Sequence, residues 1–96
     1  MDKTVYFTSL YDYYKDLLTD TERKYFEDYY FKNYSFSEIS DKYNVSRNAV
    51  YNLVNHTRNM LEKYENSLHI MSKTREIESI LDDGLLSLKI KNILEK

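Results

Sequence analysis

The feature of this sequence that most restricts its fold is the near absence of residues that interrupt helices. The 96 residues contain no proline and one glycine, Gly84. Proline breaks a helix because it lacks a backbone N–H, and glycine favours turns because it tolerates left-handed backbone angles. A chain with almost none of either, in which apolar and charged residues are mixed throughout, favours helices over tight hairpins. We therefore predict an all-α fold.

Length, cysteine content and charge narrow the class of protein further. A chain of 96 residues has room for one modest core, so we expect a single helical domain over residues 1–96. The absence of cysteine excludes disulfides and thiolate metal sites.

The first residues lack the basic end and apolar run of a signal peptide, which predicts a cytoplasmic protein without membrane insertion. Fourteen basic against 16 acidic residues give a net charge of −2, which argues against strong nucleic-acid binding by one copy.

Apolar periodicity and capping residues predict the first two helices. Apolar and aromatic residues recur every three or four positions from Val5 to Leu18, as on one face of a helix. The capping-box spacing of Thr19 and Glu22 predicts a second helix that runs to about Asn33 and packs antiparallel to the first. We expect the aromatic residues of this second helix to face inwards. Its solvated side is expected to carry Arg23, Lys24, Glu27 and Asp28.

The segment from about residue 35 to residue 55 has the pattern of a helix-turn-helix. Ser35 and Glu38 repeat the capping spacing, and the helix that they begin is expected to end at Asn44, because asparagine tolerates the left-handed conformation. Ser46 can then cap a long recognition helix, which apolar residues continue to about Met71. The residues expected to hold the two helices together are Ile39, Ser40, Val45, Val50 and Leu53.

The exposed residues of the recognition helix are the candidate contacts to nucleic acid, because this helix enters the major groove in such motifs. Four asparagines from Asn48 to Asn59, at spacings of four, three and four, form a stripe of amides, and an asparagine can make a bidentate contact with adenine. Arg47 could bind a phosphate or a guanine. The predicted binding residues are Ser46, Arg47, Asn48, Tyr51, Asn52, Asn55, Arg58 and Lys42. The alternative is that the stripe is a solvated face and that the motif serves only packing or protein binding.

The C-terminal apolar pattern, at about residues 73–95, bears on the oligomeric state. It forms either one helix or two helices interrupted at Gly84, and it covers the long helix of the same chain or joins a second copy. The local excess of positive charge near the motif is about one, so a single subunit can neutralise few phosphates. We favour a homodimer, because it brings two recognition helices together and enlarges a small core.

Nothing in the sequence indicates a catalytic, cofactor or metal site. His56 and His69 lie far apart without a clustered third ligand. There is no glycine-rich phosphate loop and no nucleophile with a histidine base beside it. The tyrosines of the first two helices could stack on exposed RNA bases, but their helical periodicity favours core packing. We therefore expect neither an enzyme nor a cofactor.

Several segments resemble the YlxM family. They are Tyr11-Asp12-Tyr13-Tyr14, Leu17-Leu18-Thr19, Tyr29-Tyr30, Ser37-Glu38-Ile39, Val45-Ser46-Arg47-Asn48-Ala49-Val50-Tyr51 and the stretch from Leu61 through Tyr64-Glu65 to Leu68. The resemblance covers about residues 6 to 71. Members often carry basic residues at the positions of Asn55 and His56 and an acidic residue at the position of Arg58, so the basic patch is partly displaced here.

The resemblance implies a small bacterial regulatory or accessory protein of the winged-helix-like superfamily, with a helix-turn-helix similar to region 4 of primary sigma factors. It also implies a gene beside those of the signal recognition particle GTPases and a role in that targeting pathway. The partner implied is DNA, the RNA of the particle, or the GTPases themselves.

Overall fold

Helices account for every regular element in residues 2–81 and 84–95, the part of the chain that the structure, a computed structural model, describes. The prediction of an all-α fold is confirmed. A single 3-10 turn, Lys15–Leu17, follows the first helix. The α-helices are α1 (Lys3–Tyr14), α2 (Asp20–Tyr30), α3 (Phe36–Tyr43), α4 (Arg47–Leu68), α5 (Ile70–Leu81) and α6 (Gly84–Leu94).

Capping hydrogen bonds confirm the predicted starts of α2, α3 and α4. The hydroxyl of Thr19 accepts the backbone N–H of Glu22, whose carboxylate accepts the backbone N–H of Thr19. Ser35 and Glu38 form the same reciprocal pair at α3. Ser46 caps α4 with its hydroxyl oxygen, at 3.0 Å from the amide nitrogen that donates to it. These bonds satisfy amides that a helix start leaves unpaired, which is why short sequence patterns locate the starts.

The long helix α4 ends earlier than predicted, at Leu68 instead of Met71. His69 adopts the left-handed conformation, with φ 55° and ψ 29°, and α5 begins at the next residue. The C-terminal segment therefore starts at Ile70, before the expected position near residue 73. Two helices, α5 and α6, follow each other there, and the residues between them, 82 and 83, lie outside the described part of the chain.

The core is organised around α4, against which α1, α2 and α3 all pack. One buried cluster joins α1 and α2 to the second half of α4, and it includes Tyr11, Phe26 and Leu61. A second cluster joins α2 and α3 to the first half of α4. The rings of Tyr11 and Phe26 stack at 4.6 Å, but the backbones of α1 and α2 pack mainly on α4. Side chains of α1 and α2 therefore contact each other, while both helices pack more extensively on α4.

A buried carboxylate, Glu65, joins the end of α4 to the start of α5. It accepts a hydrogen bond from the hydroxyl of Tyr14 and, at 3.1 Å each, from the backbone N–H groups of Met71 and Ser72. The Tyr14 oxygen in turn accepts the N–H of Ile70 at 3.0 Å. Burial by itself would raise the pKa of Glu65, but these hydrogen bonds lower it below its ordinary value. The first three amides of α5 therefore all have partners.

Replacing Glu65 with glutamine is expected to lower the free energy of unfolding by about 1.5–3 kcal/mol, the usual cost of losing hydrogen bonds to a charged group. Glutamine keeps the size of the side chain but removes its charge and one acceptor oxygen. Urea unfolding followed by circular dichroism measures the change. The control is Glu62→Gln, one turn earlier, because the Glu62 side chain makes no hydrogen bond or ion pair within the described residues. Equal losses in both variants would contradict a special role for Glu65.

Acid is expected to destabilise the protein partly through this same carboxylate. The pKa of Glu65 in the folded chain lies below the ordinary value of 4.5. Its contribution to stability is therefore fully present above that ordinary value and is lost as the pH falls through the lower folded value. Urea midpoints measured between about pH 6 and pH 3 should fall less in Glu65→Gln than in the wild-type chain, because glutamine does not titrate. Glu62→Gln should follow the wild type, and parallel pH profiles for all three proteins would refute the assignment.

Candidate nucleic-acid interface

The turn between α3 and α4 is held by one left-handed residue, as predicted. Asn44 has φ 54° and ψ 49°, and its N–H donates to the carbonyl of Ser40. The N–H of Val45 donates to the same carbonyl at 3.1 Å. Asparagine enters this conformation more readily than most residues that carry a Cβ. Ser40 is buried at this point, consistent with the predicted need for a small residue there.

The space between α3 and α4 is filled from α2 and not by the turn itself. Val45 was expected to plug the turn, but its side chain is 38% exposed. Ile39 and Val50 are fully buried, as predicted, and Tyr25 of α2 belongs to the same cluster. Leu53 packs at the edge of this cluster. Val45 therefore contributes less to this core than predicted, and a ring of α2 contributes to it instead.

The face of α4 opposite the core is rich in amides. A helix repeats every 3.6 residues, so residues on the side opposite the buried positions recur at spacings of three and four. The buried positions are Val50, Val54, Thr57 and Leu61. Asn48, Asn52 and Asn59 lie on the opposite side and are all exposed, whereas Asn55 is half-buried at the side of the helix. The structure therefore brings three amides together on one open surface.

Arg47 and Tyr51 lie at one edge of this amide face, near the start of α3. Arg47 is exposed, and its side chain makes no hydrogen bond or ion pair with any residue that the structure describes. The ring of Tyr51 packs edge-on against Phe36 with a centroid distance of 5.6 Å. Ser46 is exposed beside Arg47, with its oxygen engaged in the cap. The N-terminal end of α4 thus presents an unpaired cation beside the amides.

Arg58 lies against α2, away from the amide face. Its guanidinium is centred 5.7 Å from the ring of Tyr29 and 5.6 Å from the ring of Tyr30. Its Nε atom is buried and has no hydrogen-bond partner among the described residues. A cation over aromatic rings stabilises the packing of the helices that carry them. Arg58 is therefore less available to a ligand than Arg47 is.

Lys42 forms an ion pair with Asp28 of α2. The prediction that Asp28 faces solvent is wrong. Asp28 is 1% exposed, and its carboxylate accepts bonds from Lys42 at 3.1 and 3.2 Å and from the Tyr43 hydroxyl at 2.7 Å. Lys32 lies 3.2 Å from the same carboxylate. Burial alone would raise the pKa of Asp28, but the bonds from these three residues lower it. Asp28 thus anchors α3 to α2, and its spacing of three from the buried Tyr25 was the available signal.

A groove of about 530 Å³ opens beside Arg47, between α2, the start of α3 and the start of α1. Its aromatic lining consists of Tyr29, Tyr30, Tyr34 and Phe36. Its polar lining consists of Thr4, Asn33, Ser35, Ser37, Glu38 and Arg47. The loop between α2 and α3, in which Asn33 adopts a left-handed φ of 57°, brings these residues together. The sequence patterns did not predict this groove, because it depends on the path of that loop.

The two histidines that the sequence singled out have separate surroundings, His56 within α4 and His69 at the left-handed end of that helix. His56 lies 3.4 Å from the carboxylate of Glu22. Within residues 2–81 and 84–95, no three histidine, aspartate or glutamate side chains are grouped as metal ligands. None of the helices in the same residues combines the length and the apolar character that crossing a membrane requires.

Comparison with known proteins extends the sequence resemblance to nearly the whole chain. Residues 1–95 match the UPF0122 family, described as helix-turn-helix, YlxM / p13 like. A UPF0122 protein of Oceanobacillus iheyensis is 41% identical over 95 residues, which cover 99% of this chain and 90% of the relative. One from Listeria innocua is 36% identical over 95 residues, covering 99% and 86%. One from Halalkalibacterium halodurans is 41% identical over 81 residues, covering 84% and 74%. The family match thus includes α5 and α6.

Proposed function

Since this chain belongs to the UPF0122 family of helix-turn-helix proteins, YlxM / p13 like, we propose that it is a non-enzymatic protein that binds nucleic acid through the exposed face of α4. The observation that carries the proposal is the arrangement of that face. Asn48 and Asn52 are exposed opposite the core, and Arg47 stands unpaired within the described residues at the start of the same helix. Amides and a guanidinium are the groups that read base edges and bind phosphates.

The predicted binding residues divide into two groups by their availability. Arg47, Asn48, Tyr51 and Asn52 are exposed, so they contact the nucleic acid directly in this proposal. Ser46 and Asn55 lie beside them and contribute at the edges. Lys42 and Arg58 are engaged with Asp28 and with the α2 tyrosines, so they add positive potential from the side.

Two copies acting together suit this weakly charged protein better than one. Ile80, Leu88 and Ile93 are 74%, 60% and 70% exposed, so a single chain leaves apolar side chains of α5 and α6 in water. A symmetric contact through these helices covers them in both copies. It also presents two α4 helices to one nucleic acid, which compensates for the net charge of −2 per chain.

For the biological role, we propose an accessory or regulatory function in the signal recognition particle pathway of the bacterial cytoplasm. Its support is the family resemblance and the bacterial origin of the relatives. DNA and the RNA of the particle are both candidate ligands for α4. The particle GTPases are the first protein partners to test.

A second candidate function is a protein-interaction adaptor that retains the helix-turn-helix only as a scaffold. The apolar residues exposed on α5 and α6 favour it, because a partner protein could cover them in place of a second copy. The negative net charge also favours it, since phosphate binding requires local positive charge. An interface dominated by apolar contacts differs from a phosphate interface in its weak response to salt.

Replacing Arg47 with alanine is expected to weaken nucleic-acid binding about tenfold and to reduce the slope of log affinity against log salt by about one, because one phosphate contact is lost. Fluorescence anisotropy with labelled particle RNA and with mixed-sequence duplex DNA, each at two salt concentrations, measures both effects. Lys73→Ala is the control, since it removes one exposed positive charge from α5, a helix outside the helix-turn-helix. Absence of binding would contradict the proposal and favour the adaptor. An affinity that is the same at both salt concentrations and in Arg47→Ala would do so as well.

Replacing Ile93 with glutamate is expected to convert a dimer into single chains, because a charge would enter the apolar contact between two copies. Sedimentation equilibrium at about 100 μM chain should give twice the mass of one chain for the wild type and the mass of one chain for the variant. Asn92→Glu adds the same charge to the neighbouring exposed position of α6 and should remain dimeric. A wild-type chain that sediments as a monomer would rule the dimer out.

A further inference from the structure

The aromatic groove beside Arg47 has a chemistry that the proposed contacts of α4 leave unused. Its rings, those of Tyr29, Tyr30, Tyr34 and Phe36, are all half-buried and line a space of about 530 Å³. That volume lies within the usual range of ligand pockets, which is about 300–1,000 Å³. The groove therefore has room for a flat ring system beside the surface that is proposed to hold nucleic acid.

The rings of the groove continue as far as α4. Tyr29 and Phe36 stack with a centroid distance of 4.6 Å and an interplanar angle of 11°, and Phe36 meets Tyr51 edge-on at 5.6 Å. Tyr51 is exposed on α4 at the edge of the amide face. The ring contacts therefore run from the groove through Phe36 to Tyr51, which is one of the proposed contacts of α4 with nucleic acid.

The polar groups of the groove suit a base better than a phosphate. The carboxylate of Glu38 accepts the N–H of Ser35 through one oxygen, and the Asn33 amide lies on the same lining. A carboxylate repels phosphate but accepts hydrogen bonds from the amino groups of bases, and an amide can donate and accept. Arg47, the cation of the lining, is exposed and free to meet the phosphate that is attached to such a base.

We propose that this groove holds one unpaired nucleobase, whose neighbouring duplex lies on the exposed face of α4. The inference rests on the proposed function, and it deepens that function by naming the substrate class. An unpaired base can leave its stack and place its face against aromatic side chains, whereas a paired base must first lose its pairing, which costs additional free energy. The preferred ligand is therefore a duplex interrupted by an unpaired nucleotide.

Two positions of the groove lining can be tested, each with a control variant. Asn33→Gly removes the amide and keeps the left-handed backbone, because glycine adopts φ 57° without strain. Its matched control is Asn44→Gly, which removes the same amide at another left-handed position, φ 54°, outside the groove lining. Tyr34→Ala removes a ring of the lining, over which the Lys42 ammonium lies at 5.4 Å from the centroid, and Tyr34→Phe keeps the ring without its hydroxyl.

The experiment compares two hairpins that differ only in one unpaired 2-aminopurine nucleotide, each made as RNA and as DNA to identify the source of the base. The full-length protein should bind the interrupted hairpin about tenfold more tightly than the paired one, because stacking on aromatic side chains adds to the phosphate contacts. The 2-aminopurine fluorescence should fall on binding as the base stacks. Tyr34→Ala and Asn33→Gly should reduce this preference, whereas Tyr34→Phe and Asn44→Gly should preserve it.

The outcomes separate this inference from the proposed function. Salt-sensitive binding that depends on Arg47 but is equal for both hairpins would overturn the groove and leave α4 as the binding surface. A preference that survives Tyr34→Ala and Asn33→Gly would also overturn the groove, because the base would then lie elsewhere. Binding to neither hairpin would overturn the proposed function together with the inference.

Discussion

The burial of one face of α4 is the constraint on which the other features of this structure depend. The helices α1, α2, α3 and α5 all contact α4, and they fully bury Val50, Val54, Thr57 and Leu61. Removing these side chains from water is the main favourable contribution that such a small core can make. Because a helix has two sides, burying this face commits the opposite one, with its asparagines, to solvent. The candidate binding surface is thus a consequence of how the core is packed.

Two buried carboxylates determine how the surrounding helices meet. Asp28 holds α3 against α2 through Lys42 and Tyr43, and Glu65 holds α5 against α1 and α4 through Tyr14. A buried charge is tolerated only where hydrogen bonds compensate for its lost hydration, so each carboxylate favours one arrangement of its neighbours. The ion pair with Asp28 also makes Lys42 less available to a ligand. Structural ion pairing and ligand binding therefore draw on the same few basic residues.

The scarcity of available basic residues is consistent with the proposed ligand, a duplex interrupted by an unpaired nucleotide. A surface with one unpaired arginine, several amides and a neighbouring aromatic groove offers shape and stacking more than it offers charge. Such a surface suits a ligand with an irregular feature, because stacking on an unpaired base adds affinity that phosphates alone would not supply here. The exposed apolar residues of α5 and α6 provide a separate means of raising affinity, through a second copy.

The helical class, the starts of α2, α3 and α4, and the left-handed Asn44 could all be predicted from the sequence. They depend on hydrogen bonds between residues two to five positions apart, such as those of Thr19 with Glu22 and of Ser35 with Glu38. The burial of Asp28, the end of α4 at His69 and the aromatic groove were decided by the tertiary structure. Each arises where distant segments meet: α2 with α3, Tyr14 with Glu65 across 51 positions, and the α2–α3 loop with Arg47. Sequence periodicity describes one helix at a time, so it determines which residues share a face but not which other helix covers that face.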